Sequence, residues 1–546
     1  VPIKKMMVAM ALAASAALFI EANVLVAQSP APQLVHTGSK YQLQVDGHPF
    51  IILGGQAHNS SASNPEDLTP VWNSLVAMHA NTAEVPIYWE LIEPRPGQFD
   101  FHLIDDIIQG ARSHGLRLVL LWFGTWKNGA MTYTPTWIKE DQTKYFRVRN
   151  AWGEPTEIIS PFCAAARQAD ERAFAAVMEH IKSVDEAQRT VIMMQVENET
   201  GLLGTDRDYS PQATRMYQSA VPSELMGYLE RHRDGLMPAL KAAWAAGHFR
   251  RSGTWSEVFG DLAPEAFSAW HVARFVDAVA AAGKQAYSLP MYCNNWLVGP
   301  GAARAGDWPS GGPTIHVLDI WKAAAPHINL LAPDIYLPEF LETAAAFRRP
   351  DNPLYIPETG FLPYFAPYVF PTLAEFNGIG FCPFGIDHGV ENGKLTPQGE
   401  ALEKDYRVLE PLLTLIEKYQ YTGRLFAIVQ DLDRAKTVPL GHQLAAVVHF
   451  TDPYRPDFHT TPAGGIIVEL SPDDYVVAGS GFRVDFCYLQ GPERSPEFLS
   501  LEEGTFEGET WKSTRRLNGD EFQVVLPEQP RILRVRLLRL NESALH

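Results

Sequence analysis

Eight times between residues 50 and 420 a short apolar run gives way to an amphipathic stretch. No other pattern in the chain restricts its fold as much. The runs are PFIILGGQ, NTAEVPIYW, LRLVLLWFG, TVIMMQVEN, LPMYCNNW, INLLAPDIYL, PLYIPETGF and IGFCPFGID. Each is nearly continuous in apolar side chains, as a strand covered on both faces should be. Helical segments such as HLIDDIIQGARSHG and DERAFAAVMEHIKSV separate them, and a longer helical insertion fills 209–288. Eight strand–helix units in a stretch of this length predict an α/β fold, a (β/α)8 TIM barrel. TPQGEALEKDYRVLEPLLTLIEKYQ reads as the helix that closes it. Past residue 421 the texture changes. RLFAIVQDL, LAAVVHF, GGIIVELS, DYVVAGSGFRVDFCYL, EFQVVLP and ILRVRLLRL are strands parted by turn residues, which predict an antiparallel, sandwich-like β-domain. The expected organisation is a barrel over 28–420 and an accessory β-domain over 421–546.

Residues 1–27 read as a secretory signal peptide. A basic IKK precedes the apolar MMVAMALAASAALFI, and small residues lead to a cleavage point after Ala27. The apolar run is short and alanine-rich for a membrane span. The expectation is an exported protein, periplasmic or secreted, with no membrane association after cleavage. Four scattered cysteines, Cys163, Cys293, Cys382 and Cys487, lack the spacing of a zinc or redox site. No HExxH, phosphate loop or dinucleotide fingerprint occurs, so no cofactor or metal is expected. A net charge of −18, from 63 acidic against 45 basic residues, repels phosphates. It argues against nucleic acid or an anionic membrane as partner. The sequence leaves the oligomeric state open.

Active sites of such barrels lie at the C-terminal ends of the strands. Read in order, those ends carry Gln56, His58 and Asn59; Tyr88, Trp89 and Glu90; Trp126, Lys127 and Asn128; Glu197, Asn198 and Glu199. They continue with Asn294, Asn295 and Trp296; Asp334 and Tyr336; Glu358; and Asp387 and His388. Acids and amides bind hydroxyls and flat rings stack on sugar C–H faces, so the set suits a carbohydrate. Glycoside hydrolysis needs one carboxyl protonated, to assist the leaving oxygen, and one ionised, to attack the anomeric carbon or direct water. Glu199 and Glu358 are the natural pair, on strands four and seven at opposite sides of an eight-stranded ring. Glu197 is assigned to structural support. Strand alternation aims it with Glu199 unless a local bulge parts them. Trp89 and Trp126 suit either the core or a sugar face.

QVENE followed by Gly201, YIPETG at strand seven, and NTAEVPIYWELIEPRPGQFDF together resemble the glycoside hydrolase family 35 β-galactosidases. These belong to the clan of barrel glycosidases with glutamates on strands four and seven. The resemblance covers about 40–420. It implies Glu199 as acid/base, Glu358 as nucleophile, Asn198 as the amide on the sugar 2-hydroxyl and Tyr336 as the tyrosine that orients the nucleophile. It also implies retention through a covalent galactosyl-enzyme. Trp126, Lys127, Asn128, Asn59 and Trp296 complete the candidate substrate contacts. There are departures from the pattern. Pro86 stands where better-known members carry tyrosine, Thr125 where a glutamate precedes the tryptophan, and no arginine follows His58. WFGTWKNG replaces a Trp-acid-Gly-Gly pattern. These variations resemble a bacterial subgroup that removes galactose from plant xyloglucan side chains. The expected activity is a retaining, exo-acting β-galactosidase on terminal β-D-galactose of polysaccharide side chains or oligosaccharides. The departures keep open a different sugar, as β-xyloside, α-L-arabinoside or β-glucoside. A catalytically silent sugar-binding barrel is the third reading.

Overall fold

The structure is a computed structural model describing residues 30–430, 435–451, 462–490 and 495–539. The expected signal peptide over 1–27 lies outside them. Three half-exposed strands come first: β1 (Gln33–Thr37), β2 (Lys40–Val45) and β3 (His48–Pro49) form a small antiparallel sheet. They have no long apolar run, and the sequence pattern did not announce them.

The barrel opens with β4 (Ile52–Gln56), β5 (Thr82–Tyr88) and β6 (Arg117–Lys127). A short antiparallel hairpin interrupts it, β7 (Arg147–Arg149) and β8 (Pro155–Ile159). The barrel resumes with β9 (Val191–Asn198), β10 (Met291–Trp296), β11 (Leu330–Ile335), β12 (Ile356–Thr359) and β13 (Gly380–Pro383). Neighbours pair in parallel in chain order, and β13 returns to β4 to close the ring. The eight strands fall on the eight apolar runs. All eight residues of β9 are buried, because one face fills the barrel and the other lies under helices.

The helical insertion runs from Pro211 to Ala286. Its last helix, Ala263–Ala286, packs along Ala164–Asp185. Gly283 permits that approach: a Cβ there would come within 2.4 Å of the Phe174 ring. The closing helix is not continuous as expected. It breaks into Pro397–Leu409, a tight turn Glu410–Leu412 and Leu413–Tyr419. Pro411 has no N–H to donate and its ring crowds the preceding turn.

The C-terminal strands form a six-stranded and a four-stranded antiparallel sheet. Ile467, Tyr475, Val477 and Leu533 of the first meet Ala446, Val448, Val484 and Phe486 of the second in one core. The alternate residues Ile466, Val468, Val476 and Ala478 join the core of the barrel instead. The strands Gly464–Ser471 and Asp474–Ser480 of the larger sheet are therefore buried on both faces, which explains why GGIIVELS reads as a continuous apolar run. All four cysteines are buried and unpaired. No helix among the described residues is long and apolar enough to cross a membrane.

Candidate active site

The site begins with a mismatch between β6 and β9. Trp122 lies opposite Val196 and Lys127 opposite Asn198, so five steps along β6 match two along β9. The excess residues bulge. On the facing strand Glu197 and Glu199 take positive φ values of 62° and 44°, uncommon for a side chain with a Cβ and worth tracing to function. This undoes the strand alternation. Glu197 turns under the bulge, where its Oε2 accepts the Trp126 N–H at 2.7 Å. Its carboxyl meets Asp170 of helix Ala164–Asp185. Asp170 in turn accepts from Trp122 Nε1 at 2.9 Å and Thr125 Oγ1 at 2.5 Å. Burial and the Asp170 charge push the Glu197 carboxyl well above its usual range. Glu197 is a brace for the bulge that carries Trp126 and Lys127.

Glu199 points the other way, to the barrel mouth. Its N–H donates to Asn294 Oδ1 at 2.8 Å, and Asn294 Nδ2 donates to Asp334 Oδ2 at 2.7 Å. Glu358, one residue before the end of β12, lies beside Asp334 of β11. Tyr336 donates its hydroxyl to Glu358 Oε1 at 2.7 Å, and Gln56 donates Nε2 to Oε2 at 2.9 Å. One oxygen from each of Glu199, Asp334 and Glu358 lies within 4.8 Å of the others. Burial, then the charge of Glu358, raise the Glu199 carboxyl to about 7, while Lys127 and hydrogen bonding with Asp334 pull it down. Asp334 is pushed well above the usual carboxyl range by burial and by its two acidic neighbours. Below them Glu84 accepts hydroxyl hydrogen bonds from Tyr292 at 3.2 Å and from Tyr355. Burial pushes the Glu84 carboxyl well above its usual range, with the charge of Glu358 adding to the rise. The three upper carboxyls are also spaced to hold a cation. The Lys127 ammonium, whose charge reaches both Glu199 and Asp334, supplies positive charge at that place. Lys127→Met is therefore expected to raise the titration midpoint of the Glu199 carboxyl, read by NMR, above about 7; a midpoint that stays or falls would remove Lys127 from this role.

The remaining candidates divide. Asn198 is fully buried, and neither amide atom has a partner. Asn128 adopts a left-handed φ of 55° and donates its N–H to the Asn198 carbonyl at 3.2 Å. Asn59 is half-buried, with a buried Oδ1 that has no partner. Trp296 ends β10 in register with Asp334. Trp126 is fully buried, with its ring edge-on to Phe275 at 4.7 Å on helix Ala263–Ala286 and its Nε1 without a partner. Gln56, Asn294 and Asp334 were visible as strand-end polar residues. Their roles were not, because each depends on a neighbour from a distant strand.

The structure is a closed parallel barrel with paired glutamates at the mouths of its fourth and seventh strands. Residues 42–235 match the model of glycosyl hydrolases family 35, and residues 402–526 match a domain of unknown function, DUF5597. Over the first stretch the chain is family 35-like. It is 27% identical over 186 residues to a β-galactosidase of Xanthomonas manihotis, a match covering 32% of this chain and 28% of that protein. Among solved structures it is similar to a β-galactosidase from Bacillus circulans sp. alkalophilus. That match has 16% identity and a TM-score of 0.44, covering 66% of this chain and 56% of that one. A catalytic mutant of a family GH42 β-galactosidase from G. stearothermophilus matches at 11% identity and a TM-score of 0.46. It covers 89% of this chain and 98% of that one.

Proposed function

We propose that this protein is a retaining, exo-acting β-galactosidase that removes terminal β-D-galactose from plant-polysaccharide side chains, xyloglucan among them, or from oligosaccharides. The observation that carries the reading is the approach of the Glu199 and Glu358 carboxyl oxygens to within 4.8 Å. Retaining enzymes hold their carboxyls roughly 5–5.5 Å apart, whereas inverting ones leave room for a water at about 6.5–9.5 Å. In this reading Glu358, aimed by Tyr336 and Gln56, attacks the anomeric carbon. Glu199, protonated below about pH 7, gives its proton to the departing glycosidic oxygen. A galactosyl ester on Glu358 results. Glu199, now ionised, takes a proton from water, which attacks the anomeric carbon and frees Glu358. Asn198, with both amide atoms unpartnered, is suited to the sugar 2-hydroxyl, since a buried amide is costly until it finds partners.

Burial of the pair supports the exo reading. Glu199 is 7% exposed and Glu358 6%, so a chain end reaches them where a continuous chain lying across the surface does not. The test is turnover of nitrophenyl β-galactoside, β-xyloside, α-L-arabinoside and β-glucoside by the purified protein. The galactoside is expected to have the highest kcat/KM. Faster turnover of another glycoside would move the specificity, and no turnover of any would favour the silent sugar-binding barrel.

A further inference from the structure

Trp152 stands 79% exposed at the tip of the β7–β8 hairpin. Single exposed apolar side chains are ordinary on a protein surface. This one differs in how firmly its backbone is held and in what lies beside it. Asn150 Oδ1 accepts the N–H groups of both Trp152 and Glu154 at 3.0 Å. Asn150 Nδ2 donates to the Glu154 carboxylate at 3.0 Å. The hairpin is then tied to the loop that follows the acid/base glutamate: Arg149 N–H donates to Asp208 Oδ1 at 3.1 Å, and Tyr209 N–H donates to the Arg149 carbonyl at 2.8 Å. That loop is stitched to the one after β10, with Leu202 N–H on the Ser310 carbonyl at 2.9 Å and Gly204 N–H on that of Gly306 at 2.8 Å. Between the three segments lies a cavity of about 150 Å³ lined by Trp152, Asp206, Tyr209, Arg304 and Asp307 among others.

One wall of the cavity is the loop that runs on from Glu199 through Gly204 and Thr205. Gly129 N–H donates to the Glu199 carbonyl at 2.9 Å. A Cβ on Gly129 would come within 3.0 Å of Leu203, and Leu203 leads into Gly204 at the cavity wall. Thr205 follows Glu199 by six residues, which sets an upper limit of about 20 Å on the separation. The side is determined by chemistry: Glu199 protonates the leaving oxygen, so the loop running on from it flanks the leaving group and not the galactose. A rigid indole face next to two carboxylates, a guanidinium and a phenol is the combination that takes a pyranose, apolar on its faces and hydroxylated at its edge.

We propose that Trp152 and this cavity form a leaving-group subsite that stacks a sugar ring of an oligosaccharide, some way beyond the scissile bond. The proposal rests on the galactosidase reading and deepens it, because it makes an extended saccharide, not a small galactoside, the preferred substrate. The test compares Trp152→Ala with the unaltered protein on nitrophenyl β-galactoside and on a galactose-bearing xyloglucan oligosaccharide. The ratio of kcat/KM for the oligosaccharide to that for the aryl galactoside is expected to fall about tenfold, through KM. Trp152→Phe, which keeps a ring, is expected to restore most of the ratio. An unchanged ratio in Trp152→Ala, or no recovery in Trp152→Phe, would overturn the proposal. Calorimetric titration of the Glu358→Gln protein with the same oligosaccharide reads the subsite without turnover. Weaker binding after adding Trp152→Ala supports it even if the wild-type protein hydrolyses no galactoside, and equal binding in the two variants overturns it.

Discussion

Glu358→Gly is expected to lower kcat on any galactoside by about 10⁴-fold or more, since Glu358 is the carboxylate that Tyr336 and Gln56 aim for attack. Sodium azide is expected to restore turnover. The glycine leaves room where the carboxylate stood, so azide attacks the anomeric carbon from the same face. The C–N bond forms as the bond to the leaving oxygen breaks, and Glu199 supplies the proton. The product is α-galactosyl azide, identifiable by its anomeric proton coupling. The variant also strips Tyr336 and Gln56 of their shared acceptor, which costs about 1–3 kcal/mol for each donor left unpaired. A melting curve must therefore accompany the kinetics. Glu358→Gln, which keeps the shape, is the control for folding. Activity within tenfold of wild type in a folded Glu358→Gly protein would place the nucleophile elsewhere.

Glu199→Ala should behave differently, and the difference identifies the acid/base. Loss of general-acid assistance costs about 10²–10⁴-fold. The larger loss is expected with a poor leaving group such as a sugar, and a much smaller one with dinitrophenolate, which departs without a proton. The fall in activity above about pH 7 is expected to vanish, because it reports the Glu199 proton. The sign follows from the carboxyl being raised: the protonated form does the work, so rate is present below about 7 and lost as the pH climbs past it. The galactosyl-enzyme on Glu358 should accumulate, and azide entering where Glu199 stood should displace Glu358 from the opposite face. The product is then β-galactosyl azide. The same anomer from both variants, or equal losses on both leaving groups, would reverse or cancel the assigned roles.

The barrel was legible because its signal is local and repeated. Strands covered on both faces must be apolar along their length, and the helices between them must be amphipathic, so the eightfold alternation is written in the chain itself. The closing helix was misjudged at Pro411, where a periodic pattern concealed a residue that cannot complete a helical hydrogen bond. Glu199, Glu358 and Asn198 stood out as candidates because polar residues ending apolar strands are expensive unless used.

What the sequence determined by itself, then, is the strand–helix rhythm, the change to β-texture past residue 421 and the strand ends that carry carboxylates. Only the tertiary structure decided what each polar group does. Gln56 reaches Glu358 across 302 residues because β13 closes on β4 and brings the first barrel strand round to the seventh. Glu197 and Glu199 are two residues apart and alike in chemistry, yet one braces a helix and the other faces the mouth. That divergence comes from a bulge on a different strand and two left-handed backbone angles. Apolar periodicity is set by near neighbours along the chain, whereas a side chain's partner and proton affinity are set by whatever the closed ring brings beside it.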